Sequence, residues 1–248
     1  MIALENKTYN EQAIVQAIAQ ALDSFYGSLI SKIDTLNINK VMKRKNPYLY
    51  RAKAMQSASD IVDSVLTAFV SSSEETIFGN CFFEPVAIAA SNGNKALAEG
   101  IDIMIQDNEN NTIAAIAVKS GPSVFNADSK KRQEQNFMAA SKLAQQAKAR
   151  YEAYIGYCYG KKKDSGRGKP KIYQELAGKN FWWKLTGEED FYIKLIEYMG
   201  DLPEKYVARF QESYMKASNR LVREFSNNFC TEDGSIDWEK LVKFNSGE

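Results

Sequence analysis

The sequence predicts an α/β chain, a small mixed β-sheet flanked by helices. Three observations carry that expectation. Apolar residues recur at steps of three and four over about the first ninety positions, the period drops to two near residue 99, and helical spacing returns after residue 129 and again after residue 181.

Each element has its own signal. Ile14, Ile18, Leu22, Phe25, Leu29 and Ile33 form the stripe of an amphipathic helix over residues 11–33. A basic connection, Lys40 to Lys45, ends in Asn46-Pro47, which favours a turn or an extended entry. Met55, Ala58, Ile61, Val62, Val65 and Phe69 give a second helix up to Ser71-Ser72-Ser73, whose hydroxyls suit the cap of a third running from Glu74 to about Ala90. From Glu99 the pattern alternates: Ile101, Ile103 and Ile105 against Gly100, Asp102, Met104 and Gln106. Asp107 to Asn111 is turn-prone, and Thr112 to Val118 returns from it, so the two runs read as a hairpin. A helix is expected from about Ser129 to Tyr151, a short aromatic strand over residues 154–160, a basic loop from Lys161 to Lys171, a helix around Phe181 to Met199, and another from Pro203 to about Phe229. The whole reads as one domain over residues 1–248, with a helical part at 1–70, a core at 71–171 and a second helical part at 172–248.

Composition narrows the chemistry. The 248 residues are 44% apolar and 25% charged, an ordinary globular balance, and contain no histidine. Ser-His-Asp and Cys-His hydrolysis, imidazole zinc sites and histidine-activated water are thereby excluded. Carboxylates, lysine or tyrosine must do any acid–base work. Cys81, Cys158 and Cys230 are widely spaced and read as reduced thiols of a cytoplasmic protein. No run reaches the length of a membrane span, and the N-terminal residues lack a secretory pattern, so no membrane partner is expected. The net charge is only +1, yet Lys119 to Lys171 holds 13 Lys/Arg against Asp128, Glu134, Glu152 and Asp164. A local basic stretch of that size is a footprint for phosphates.

Two charges interrupt the hairpin. Asp102 lies in one strand and Lys119 ends the other, seventeen residues on, so the turn brings them toward the same end. Ala115, Ala117 and Lys119 share a face, which suggests ligand room beside small side chains; Ile116 and Val118 face the other way, toward a helix. A carboxylate beside a lysine suits phosphodiester hydrolysis with a divalent ion, and magnesium takes oxygen ligands. A half-buried ion pair with no chemistry would look the same in sequence.

The stretch from Asn46 to Gly160 resembles type II restriction endonucleases of the PD-(D/E)XK superfamily, in particular the PmeII-like group. The resemblance rests on an ordered set: Asn46-Pro47-Tyr48-Leu49, Ser71 to Gly79, Glu99-Gly100-Ile101-Asp102-Ile103, Val118-Lys119-Ser120-Gly121-Pro122 and Tyr157-Cys158-Tyr159-Gly160. It implies a restriction-endonuclease-like core with additional N- and C-terminal helices, Asp102 as a metal ligand, and Lys119 as the residue that positions or activates the attacking water. Ile101 replaces the motif's proline. Ala117 replaces its second acid, and alanine cannot bind metal. The missing carboxylate must then come from elsewhere: Glu75 first, as the donor near the start of the third helix, and Glu84 second. Glu134 is a further route, and Glu99 a weak one.

The basic side chains assigned to DNA are Lys130, Lys131 and Arg132 on the helix after the hairpin, and Lys161, Lys162, Lys163, Arg167 and Lys169 on the following loop. Tyr157, Tyr159, Trp182 and Trp183 suit the core better than base stacking. The resulting expectation is a Mg2+-dependent, sequence-specific endonuclease acting on double-stranded DNA, as a homodimer, with a companion DNA methyltransferase. Its rivals are a repair or junction-resolving nuclease on the same core, and a DNA-binding relative whose catalysis has decayed.

Overall fold

The computed structural model describes residues 9–92, 94–162 and 171–247. The chain falls into two compact units, one of Met1–Asp23 and Phe78–Pro203, the other of Ser24–Ile77 and Glu204–Glu248. The expected α/β class holds: a five-stranded mixed sheet lies among helices.

The first long helix, α1 (Glu11–Asp34), buries Ile14, Ile18, Leu22, Leu29 and Ile33 as its stripe requires. Two short helices follow, α2 (Ile38–Met42) and α3 (Pro47–Ala52). Asn46 is extended and its side chain accepts from Tyr48 and Leu49 N–H, with Pro47 in the first turn, so Asn46-Pro47 starts a helix. Next, α4 (Ala58–Cys81) runs straight through Ser71-Ser72-Ser73. The expected helix start at the serines is therefore wrong. The apolar stripe continues as Val65, Leu66, Val70, Ser73 and Ile77, all buried, and burial of that face outweighs three weak helix formers. The break falls at Phe82, and α5 (Phe83–Ser91) then ends on Asn92 in the left-handed region at φ 49°.

The sheet order is β1 (Asn94–Lys95), β2 (Ile103–Asp107), β3 (Thr112–Lys119), β4 (Arg150–Tyr157) and β5 (Gln174–Ala177). The β2–β3 hairpin is antiparallel as expected, with Ile103 opposite Ile116 and Asp107 opposite Thr112. Its turn is held by the Asp107 carboxylate, which accepts from Glu109 and Asn110 N–H, both at 3.0 Å. A parallel partner needs a crossover, supplied by α6 (Ala127–Gln146) with its Asn126–Ser129 capping box. That helix stops five residues before the expected Tyr151, because Lys148 turns left-handed at φ 55° and Arg150 N–H bonds Asn111 O at 2.8 Å to begin β4. The aromatic strand thus covers Arg150–Tyr157, and Cys158 to Gly160 lie beyond it.

Helix α6 covers one sheet face, packing Phe137 and Ala140 with Ala115, Ala117, Ala153, Ile155 and Tyr157. On the other face Ile105, Ala114 and Ile116 meet Phe181 and Leu185 of α7 (Lys179–Thr186). The single helix expected from Phe181 to Met199 is two, since Gly187 at φ 77° closes α7 before α8 (Phe191–Met199) begins. In the other unit, α9 (Glu204–Phe229) follows Pro203, and α10 (Trp238–Ser246) ends the described chain. Arg220 of α9 caps α1 by donating to the carbonyls of Ile33, Asp34 and Leu36 at 3.2, 3.1 and 2.8 Å. No helix among the described residues is long and apolar enough to cross a membrane.

Candidate active site

Asp102 sits one residue before β2, just outside the paired ladder that begins with Ile103 opposite Ile116. Its N–H donates to Ile116 O at 2.9 Å. Ala117 lies on the α6 side, and Lys119, two residues on in β3, shares its strand face at the sheet's end. The Asp102 Oδ2 accepts from Val118 N–H at 2.6 Å and from Lys119 Nζ at 3.4 Å. Lys119 Nζ also donates to Val118 O at 2.9 Å. The two side chains are 20% and 27% exposed, so the pair is positioned by backbone but open to solvent. The remaining Oδ1 takes no part in these bonds.

Ligand room beside the alanines is not found. Ala115 and Ala117 are fully buried, because their small side chains are what lets Phe137 of α6 approach the sheet. Access to the pair is from the strand ends. Cys158 lies buried behind it: burial pushes its thiol well up, while the Lys119 charge pulls down and Asp102 pushes up again. A neutral buried thiol is neither nucleophile nor metal ligand.

Of the candidate acids, Glu84 stands in the first turn of α5, which packs on β2 and β3, and pairs with Lys95 at 3.0 Å. The Lys95 ammonium also feels Asp102, and both carboxylates hold its pKa above the ordinary value, Glu84 first. Glu75 lies exposed within α4, far from the helix start on which its preference rested. Glu134 faces Tyr173 Oη at 3.3 Å, and Glu99 is paired with Arg132. Among the described residues no three His, Cys, Asp or Glu are gathered to hold a metal ion.

Three of the five expected DNA-binding cations among the described residues are engaged. Lys130 and Lys162 reach Glu175 at 3.4 and 3.5 Å, and Arg132 is spent on Glu99. Lys131 and Lys161 are exposed; Lys163, Arg167 and Lys169 lie outside the described residues. Tyr157 and Trp182 are core as expected, whereas Tyr159 and Trp183 are exposed.

Two polar residues had no place in the sequence reading. Gln133 is buried on the apolar stripe of α6, one turn before Phe137, and its amide donates to Gly100 O at 2.6 Å. Its only signal was a glutamine at a core position of a helical stripe. Glu175, with an 8% exposed side chain, gathers Lys130, Lys162, Lys171 and the Tyr157 hydroxyl. Burial raises its carboxyl, but the hydrogen bonds from Lys171 and Tyr157 and the charges of Lys130 and Lys171 prevail, pushing it down to about 2. A carboxyl below its ordinary value of 4.5 contributes stability that is present above pH 4.5 and lost as pH falls toward 2. Glu175→Gln should therefore cost about 2 kcal/mol at neutral pH, discounted for the partly exposed lysines. The gap between variant and wild type should close between pH 4.5 and 2, read by urea melts across that range; a pH-independent gap would remove the electrostatic account.

No curated protein matches the chain. A family model, that of the type II restriction endonuclease EcoO109I, matches residues 12–206, which spans the hairpin, the Asp102–Lys119 pair and every strand of the sheet. The chain belongs to the type II restriction endonuclease EcoO109I family, a family of nucleases.

Proposed function

We propose that the protein is a magnesium-dependent endonuclease of the PD-(D/E)XK superfamily, PmeII-like group, that cuts double-stranded DNA at a specific short sequence. The observation that carries this is the Asp102–Lys119 pair at 3.4 Å, held by Val118 yet open at the end of the sheet. Magnesium keeps much of its water shell and commonly takes one or two protein carboxylates, the rest coming from substrate phosphate. The donor set fits such an ion: Asp102 offers Oδ1, and Glu84 is the second donor we now rank ahead of Glu75, since α5 packs on the hairpin. The bound ion supplies polarisation of the phosphate and activation of water.

The chain's own groups do the rest. Asp102 and Val118 O hold the Lys119 ammonium at the pair, from which it orients the attacking water and offsets charge developing on the phosphate. Water attacks directly, with no covalent intermediate, and the buried Cys158 thiol beside the pair supplies no competing nucleophile. Lys130, Lys131, Arg132, Lys161, Lys162, Lys163, Arg167 and Lys169 meet the flanking phosphates, with Lys130, Arg132 and Lys162 exchanging their carboxylates for DNA. A homodimer places two such sites on a symmetric sequence, and a companion methyltransferase protects the same sequence in the cytoplasm.

Plasmid digestion tests the reading. Magnesium should give discrete bands, and calcium should permit binding without cutting. A smear or structure-dependent nicking would point to a repair or junction-resolving nuclease. Ala117 and the lack of a ready-made three-acid cluster among the described residues favour a second reading, an inactive DNA-binding relative; binding with no cleavage in any divalent ion would establish it.

A further inference from the structure

The basic connection after the first helix takes no part in the site above. Between Asp34 and Asp60 the sequence carries Lys40, Lys43, Arg44, Lys45, Arg51 and Lys53 and no Asp or Glu. A solvated face ordinarily interleaves both signs, since like charges at short range repel. Here they are concentrated and then fixed. The Asn245 amide of α10 donates to Met42 O and Lys45 O, both at 2.7 Å, clamping the turn that carries Lys43-Arg44-Lys45. Lys43 lies over the Phe244 ring at 5.8 Å and Arg51 over Trp238 at 5.5 Å, so α10 backs the whole segment. That helix adds Lys240, with Lys243 paired to Glu239.

None of Lys40, Lys43, Arg44 or Lys45 is ion-paired among the described residues, in contrast to Lys130, Arg132 and Lys162 beside the hairpin. Tyr48 and Leu49, 67% and 55% exposed, stand next to them on α3. An unneutralised row of cations on a clamped backbone turn, beside exposed apolar side chains, matches a partner with regularly spaced anions and apolar sugar edges. A second copy of this chain is a poor fit, since a two-fold interface formed by the patch would set it against itself.

We infer that the α2–α3 surface of the helical unit, with Lys43, Arg44 and Lys45 at its centre, is a second contact for the phosphate backbone of duplex DNA, separate from the catalytic hairpin. The inference rests on the nuclease reading, and the test separates the two. The triple variant Lys43→Gln/Arg44→Gln/Lys45→Gln is compared with wild type for binding a 40-base-pair duplex in calcium over a potassium chloride series. Each lost phosphate contact flattens the slope of log affinity against log salt by about 0.9. Three contacts should flatten it by about 2.7, so that the affinity lost between 50 and 200 mM salt becomes about 40-fold smaller. Asn245 binds backbone carbonyls, so its clamp survives the substitutions, and circular dichroism checks the fold. Lys216→Gln, at an exposed lysine paired with Glu212, serves as a control and should leave the slope unchanged. A wild-type slope in the triple variant, with wild-type protein still cutting DNA, overturns this inference alone. Failure of wild type to bind duplex in any divalent ion overturns it together with the nuclease reading.

Discussion

Asp102→Asn should lower the cleavage rate by about 10³-fold, and Lys119→Ala by about 10²- to 10³-fold, the range seen when a single preorganised electrostatic group is removed from a hydrolytic site. Duplex affinity in calcium should move much less. The reasoning turns on which bonds survive. Asparagine at 102 still offers an oxygen to Val118 N–H, now at 2.6 Å, so the strand end keeps its shape while the charge that holds both the ammonium and a cation disappears. Alanine at 119 leaves Asp102 bonded to Val118 but removes the cation 3.4 Å from it. Because the side chains are 20% and 27% exposed, the orphaned partner is rehydrated, and the cost to stability should stay at about 1 kcal/mol or less. Single-turnover cleavage beside chemical denaturation separates the effects. Rates within tenfold of wild type for both variants would remove the pair from the mechanism. The same assay ranks the acids: Glu84→Gln should approach the Asp102→Asn loss and Glu75→Gln should not, and the reverse result would reinstate Glu75 as the donor.

The Asp102–Lys119 pair was legible in the sequence because each charge breaks a period-two apolar run, and a hairpin with a short turn fixes its own register. The first helix was legible for a similar local reason: its stripe repeats without interruption over about five turns. What escaped depends on contacts remote in the chain. The strand β5, Gln-Glu-Leu-Ala, is half-buried and shows no alternation, so only pairing with β4 defines it. The start of β4 looks helical because Arg150 and Glu152 are polar, and its true limit is set by Thr112 opposite Arg150 across a parallel ladder. The helix break at Phe82 and the continuity through Ser71-Ser72-Ser73 reverse the local capping signal, since the buried stripe of α4 decides both. The engagement of Lys130 by Glu175, forty-five residues on, could not be read from a charge run that looks uniformly free.

The second large effect concerns how Asp102 is aimed. Gly100, two residues before it, has φ 69°, and a Cβ there would lie 2.1 Å from Asn136 Nδ2 and 3.0 Å from its Cγ. Its carbonyl receives the buried Gln133 amide at 2.6 Å, so one helix both requires the glycine and pins its peptide. Gly100→Ala forces a left-handed alanine and a displaced Asn136; Gln133→Leu fills the same space but leaves the Gly100 carbonyl without its donor. Each should cost about 1–2 kcal/mol of stability. The larger consequence is geometric: a shift of about 1 Å in a reacting group can cost about 10²-fold in rate, and the chain from Gly100 to Asp102 has one intervening residue to absorb the change. Both variants should therefore lose about 10- to 100-fold in kcat with duplex affinity in calcium nearly unchanged. Phe137→Leu supplies the contrast, because it loosens the same contact between α6 and the sheet without touching the Gly100 peptide. It should lose similar stability and keep kcat within about threefold. If kcat followed stability equally in all three variants, Gln133 and Gly100 would be packing residues with no share in positioning the carboxylate.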